Sequence, residues 1–453
     1  MDSIFWIIIV NLVLYFKTLK YKFVSDDHAV SRQPPSYKNR FHKRWLQFIG
    51  ATKLFGRSIV FGRGKITIVQ TEEQEHLIAL LLHILVCCLI YVAFGSSQIS
   101  FVAALLYSTN PVNNQGTIWP GGRGYVIPIL MILVSLAWPW ASIVALPFAS
   151  WFTVGFLAPL CLIGSTKWYL VGVMVLGWII NAQKFTKAVK NKAGSESFHE
   201  DRLSFHPRKF VLAIKTFGFY TALCLFPSRI TFYHNFLQSA AGCLKHKAYT
   251  PWCRYFWIGL GILTLTFVYW SVIPWNTLSW ALFAWVITIA PFCNFVRANQ
   301  EIAERFAALP NVFLMYAFAQ VINTHPVIVS AVIAFYATRT YWTLSLYKDE
   351  YFITECAAIE DPHAWWAWHC RAMKRWDTQS YREALILWVM ARMISPKEFK
   401  LNVNIATCLR LLKNNKEADE FLKCAEDNIV AGQEEQSKEI LKSAREGKCP
   451  ILL

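Results

Sequence analysis

Residues 77–94 read LIALLLHILVCCLIYVAF, eighteen positions without one Asp, Glu, Lys or Arg. A helix that crosses a bilayer needs about 20 mostly apolar residues, within a range of about 17–25. This run meets that need, and Gly95 and two serines follow it. Similar runs lie on both sides. The first is Ile4 to Phe16; the rest are about 98–110, 125–138, 140–163, 167–183, 210–226, 255–273, 276–290, 308–323 and 326–344. Together they predict an all-α, polytopic membrane protein of about eleven transmembrane helices. The shorter runs must tilt, thin the bilayer or extend into polar flanks. The first run has no basic residue before it and no small-residue cleavage site after it, so it reads as an uncleaved helix.

Composition agrees. The 453 residues are 55% hydrophobic and 16% charged, with a mean hydropathy of +0.34, against about 25% charged in a soluble chain. The 20 Trp, 18 Tyr and 33 Phe suit a chain with two membrane interfaces. The net charge of +17 sits in short loops between apolar runs. Anionic headgroups or phosphate-bearing substrates are nearer partners there than nucleic acid. Of the twelve cysteines, Cys87, Cys88, Cys161 and Cys224 lie inside apolar runs, and no cysteine or histidine pattern has metal-ligand spacing. Cys243 and Cys253 share one loop, and either bridge there or remain two thiols.

From Lys348 charges become frequent. His363–Met373 pairs with Tyr381–Met393, and Leu401–Leu412 pairs with Glu417–Ile429, each as helix, polar turn and helix. Ala384 and Ala418 take the small-residue position near the start of each second helix. Gln433–Arg445 follows as a cap. The pattern is that of about two tetratricopeptide-like repeats, with an unrelated pair of helical hairpins as the alternative. The chain thus divides into a membrane domain, 1–347, whose first loop is 18–75, and a repeat domain, 348–453.

With eleven spans, the loops at 17–75, 111–124, 227–254 and 291–307 and the repeats share one face. Most polar residues that flanking alone does not explain fall there: Asp26, Asp27 and His28; Asn113, Asn114 and Arg123; Arg229 and His234; Arg297, Glu301, Glu304 and Arg305. Ionisable groups near membrane depth are costly and mark functional sites. A carboxylate can take the proton of an incoming hydroxyl, and arginines suit a phosphate leaving group. Each residue also has a plainer reading. Asp26-Asp27 caps a juxtamembrane helix, Arg123 anchors a helix at the interface, and Glu301 with Arg305 is an i, i+4 ion pair.

The order of these pieces resembles the GT-C superfamily of polyprenyl-phosphate-dependent glycosyltransferases. The likeness is greatest to its tetratricopeptide-containing membrane O-mannosyltransferases and their bacterial relatives. The residues that carry it are Phe23-Val24-Ser25-Asp26-Asp27-His28-Ala29-Val30; Glu75-His76-Leu77 through His83; Phe101–Tyr107 with Asn110-Pro111-Val112, Trp119 and Gly122-Arg123; Ala303-Glu304-Arg305-Phe306 through Leu309-Pro310; and Tyr341-Trp342 with Tyr347–Glu350. Asn110 stands where a histidine is common, Gly124 where a charge is frequent, and Phe306 replaces a tyrosine. The resemblance implies a sugar such as mannose on a polyprenyl-phosphate donor, with no other cofactor and no metal. Asp26 is the implied base, with Asp27 beside it. Arg123, Arg229 and Arg305 would hold the donor phosphate. His28, His83, His234 and Glu304 would bind or orient the acceptor. The repeats would recruit a protein or glycan acceptor.

The implied active-site loop faces the lumen or periplasm. Charge counting points the other way: residues 17–75 hold 12 Lys/Arg against 5 Asp/Glu, and residues 184–209 hold 7 against 3. A loop that binds a lipid phosphate has its own demand for cations, and the counting rule weakens for loops near about 60 residues. The extracytoplasmic placement is therefore the expectation. Two other readings stay open. One is a non-catalytic GT-C-derived scaffold that holds a partner through its repeats. The other is a lipid-substrate transporter, for which no matching halves are found.

Overall fold

The computed structural model describes residues 2–22, 24, 59–61, 64–66, 72–149, 208–228, 230–231, 234, 253–294, 302–360, 365–429 and 434–446. The fold is helical. In chain order its first 347 residues hold α1 (Asp2–Tyr15), α2 (Glu72–Ala93), α3 (Gln98–Thr109), the short α4 (Asn114–Ile118), α5 (Arg123–Ala137), α6 (Ser142–Ala149), α7 (Arg208–Leu225), α8 (Arg254–Val272), α9 (Thr277–Ile289), α10 (Glu304–Ile322) and α11 (Pro326–Thr343) among the described residues. A short antiparallel hairpin, Ile59–Phe61 with Gly64–Ile66, interrupts the helical pattern before α2.

Five helices among the described residues are long and apolar enough to cross a membrane: Asp2–Lys20, Glu72–Ala93, Arg254–Val272, Glu304–Ile322 and Pro326–Tyr347. A sixth arises if Pro111–Ile118 and Arg123–Ala137, bent by 107°, count as one broken span. The expected runs at 98–110 and 276–290 are apolar helices of shorter length. The run at 210–226 is α7, which carries Arg208, Lys209 and Lys215. Of the runs at 140–163 and 167–183, only α6 lies within the described residues.

Local chemistry sets the turns. Gly95 at φ +92° ends α2, where the Ser96 amide reaches back to the Tyr91 carbonyl. Ser97 and Ser100 then cap α3 reciprocally, at 3.2 and 2.7 Å. Helix α10 is the central post: Glu304 to Ala317 are buried without a break, against α3, α5 and α9. The orphan carbonyls at the end of α7 are taken up by α11 and by Asn110. Tyr336 Oη donates to the Leu225 carbonyl, Arg339 donates to the Pro227 and Ser228 carbonyls, and Asn110 donates to that of Cys224.

Past α11 come α12 (Glu350–Glu360), α13 (Trp365–Asp377), α14 (Tyr381–Ile394), α15 (Phe399–Leu411), α16 (Asn415–Glu426) and α17 (Glu434–Arg445). Helices α13 with α14, and α15 with α16, pack as neighbours. Ala384 and Ala418 are buried against their facing helices. Trp388 Nε1 donates to His369 Nδ1 at 3.1 Å. Burial holds His369 down to about 4, so at neutral pH it stays uncharged and can accept that bond.

Helices α7 and α8 meet through glycine. A Cβ on Gly218 would run into the Tyr255 carbonyl and sit 2.6 Å from the Gly259 nitrogen; one on Gly259 would meet the Ile214 carbonyl. Small residues let apolar helices approach this closely. Gly218→Ala and Gly259→Ala should each lower the thermal midpoint of the detergent-solubilised protein by several degrees, for a cost of about 1–3 kcal/mol. Gly261→Ala, with nothing within 4 Å of the added methyl, is the matched control and should change little.

Candidate functional site

The chain between α3 and α5 is an elbow. Asn110 caps the end of α3, a 3-10 turn spans Pro111–Asn113, α4 follows, and Pro120–Gly122 make a second 3-10 turn into α5. Every residue from Asn110 to Pro120 is buried. Irregular backbone at that depth needs internal hydrogen bonds, and the asparagines supply many of them. Asn110 Oδ1 accepts from the Val112 amide at 3.0 Å, and Asn113 Nδ2 donates to the Tyr107 carbonyl at 2.7 Å. Asn114 accepts from Tyr15 Oη at 3.1 Å and donates to Thr343 Oγ1 at 2.9 Å, joining α1 to α11. Gly122 closes the elbow, because a Cβ there would lie 2.8 Å from the Gln115 carbonyl oxygen.

Three groups of ionisable side chains surround this elbow. In the first, Arg123 forms a buried ion pair with Glu75, and its Nη2 also donates to the Glu75 carbonyl at 2.7 Å. In the second, Arg305 is the second residue of α10. Its amide donates to Gln115 Oε1 at 3.0 Å and its Nε to Tyr125 Oη at 3.1 Å, while its guanidinium lies 5.1–5.6 Å from the ring centres of Trp119, Tyr125 and Phe306. The third is the buried Glu304 carboxylate. It accepts from the Thr231 amide at 2.6 Å and faces His234 Nε2 at 3.3 Å, and Tyr347 lies beside it. A backbone bond from His234 to Ile302 pins the same segment.

The structure thus brings Arg123, Arg305, Glu304 and His234 to the elbow and its flanks. His83 also meets the elbow from among α1, α2 and α3, with Nδ1 3.0 Å from Thr117 Oγ1, Nε2 3.7 Å from Cys87 Sγ and its ring against Tyr15 and Tyr107. Asp26, Asp27, His28 and Arg229 lie outside the described residues, as do Arg297, Glu301 and Cys243. Val24, two residues before Asp26, is buried in one cluster with Leu80, Ile118, Trp119, Leu344 and Tyr347.

Sequence reasoning did not foresee Glu75 as the partner of Arg123, nor Tyr125, Gln115, Thr231 and Tyr347 as contacts of the second and third groups. The signal for Glu75 was its place as the last acidic residue before an apolar run, where a carboxylate entering the membrane needs a cation. Among the described residues no group of three or more His, Cys, Asp or Glu is arranged to hold a metal. Comparison of the chain with protein-family models, curated proteins and solved structures gives no match.

Removing one member of a buried pair strands the other, at a cost of about 3–5 kcal/mol, whereas removing both can be nearly neutral. Arg123→Met alone should therefore lower the unfolding midpoint of the solubilised protein markedly. Adding Glu75→Gln to it should recover most of the loss.

Proposed function

We propose that the chain is a membrane glycosyltransferase that moves a sugar from a polyprenyl-phosphate donor to a hydroxyl of a protein or glycan acceptor. In this reading residues 1–347 form a GT-C-like body of about eleven spans, and residues 348–453 are tetratricopeptide-like repeats that recruit the acceptor. The observation that carries the reading is the gathering of Glu75, Arg123, Glu304, Arg305 and His234 around one buried, broken helix. Such a cost in buried charge is characteristic of substrate-handling sites.

Asp26 removes the acceptor proton as the hydroxyl oxygen bonds to the anomeric carbon. The bond from that carbon to the phosphate oxygen breaks, and the lipid phosphate leaves with the electron pair, inverting the centre. Val24 shares a buried cluster with Trp119 and Tyr347, and Asp26 follows it by two residues in the sequence, which supports Asp26 as the base. Arg305, stacked among aromatic rings at the elbow, is the leading partner for the departing phosphate. The loop and repeats then face the lumen or periplasm, where lipid-linked sugars are used.

One observation favours the scaffold reading. Arg123 is tied to Glu75, and Asn110 is spent on the Cys224 carbonyl and the Val112 amide, so both serve the fold as it stands. Sugar release from a panel of radiolabelled polyprenyl-phosphate sugars separates the two. General-base loss costs about 10²–10⁴-fold, so Asp26→Asn should abolish measurable turnover in protein that still inserts and folds. Wild-type protein that neither binds nor turns over any donor would leave the scaffold as the better account.

A further inference from the structure

Helix α14 has two apolar faces. Ala384, Trp388 and Ala391 form the buried one. On the other, Ile386, Val389, Met390 and Met393 recur at i, i+3, i+4 and i+7 and stay exposed, Ile386 by 60% and Met393 by 76%. Cations mark both ends of this stripe. Exposed Lys374, Arg375 and Arg382 lie at the α13–α14 turn, and exposed Lys397 and Lys400 follow the other end. Glu383, beside the stripe, is paired with Arg375 at 3.2 Å.

The charge is specific to this part of the tail. Residues 365–413 hold nine Lys/Arg against three Asp/Glu, while residues 414–446 hold five against nine. The basic half is also the half fastened to the membrane domain. Trp366 of α13 packs into the cluster of Leu344 and Tyr347, where the last candidate span ends, and the Lys22 amide bonds the Lys348 carbonyl at 3.1 Å.

We propose that the outward face of α14 rests on the anionic headgroup layer of the protein's own membrane, with Ile386, Val389, Met390 and Met393 dipping below the phosphates and the flanking cations pairing with them. An apolar stripe bordered by Lys and Arg is the pattern of a helix lying in the interface plane, and anionic lipid attracts basic segments beside a span. The contact fixes the repeats against the bilayer and leaves the acidic half, α16 and α17, for other partners.

The test uses the full chain in nanodiscs of phosphatidylcholine with or without phosphatidylglycerol. Labelling by a membrane-impermeant maleimide is read for Met393→Cys and Met390→Cys, with the wild-type cysteine background subtracted. Anionic lipid should slow labelling of both stripe variants by roughly an order of magnitude, and raised salt should reverse this. Lys416→Cys, on the acidic half, should label equally in both discs. Adding Arg382→Glu and Lys397→Glu should abolish the lipid dependence. Equal labelling of the stripe in the two lipids would overturn the proposal. So would protection that follows protein concentration rather than lipid charge, which would place a second copy on this face.

Discussion

The rest of the structure depends on one requirement: the elbow between α3 and α5 lies buried among apolar helices, so its polar backbone must find partners inside the protein. Asn110, Asn113 and Asn114 meet that demand with side-chain amides, and each reaches a different element. Asn110 holds the end of α7, Asn113 meets Asn311 of α10 at 3.3 Å, and Asn114 links α1 to α11. An unmet group at this depth costs several kcal/mol. The elbow therefore fixes where four helices stand, and the ionisable groups of the candidate site hang on them.

The same junction carries the C-terminal helices. Thr340 and Thr343 of α11 bond the Thr109 carbonyl and Asn114, and four residues beyond Thr343 Tyr347 packs with Val24 and Trp119. The segment that leads to Asp26 and the segment that leads to α12 thus leave from one cluster. A shift in either must repack Trp119, whose ring faces the Arg305 guanidinium. Under the proposed function, that would couple acceptor recruitment to donor handling without further machinery.

Much of the helical plan was legible because apolar length and turn chemistry are local. The run at 77–94, its stop at Gly95 and the alanines of the C-terminal helix pairs all follow from nearest neighbours in the chain. The elbow's location was legible as a motif, since Pro111, Pro120 and Gly121-Gly122 interrupt two apolar runs. Its wiring was not. That Glu75 pairs with Arg123 across 48 positions, or that Gln115 receives the Arg305 amide across 190, depends on which helices become neighbours. His83, a histidine inside an apolar run that reads as a site residue, packs against Tyr15 and Tyr107 and meets Thr117. Length was also a weak guide to span number, because α3 and α9 are apolar but short, and a bent pair can serve as one span.

Native-state hydrogen exchange of the full chain in nanodiscs, followed by mass spectrometry across residues 110–123, tests the elbow directly. If the asparagine network and its carbonyl partners satisfy this segment, its amides should exchange as slowly as those of α3 and α10, orders of magnitude below the rate of an open loop. Exchange at loop-like rates, while α3 and α10 remain protected, would mean that the elbow is solvated and the network is not the post on which the site is built.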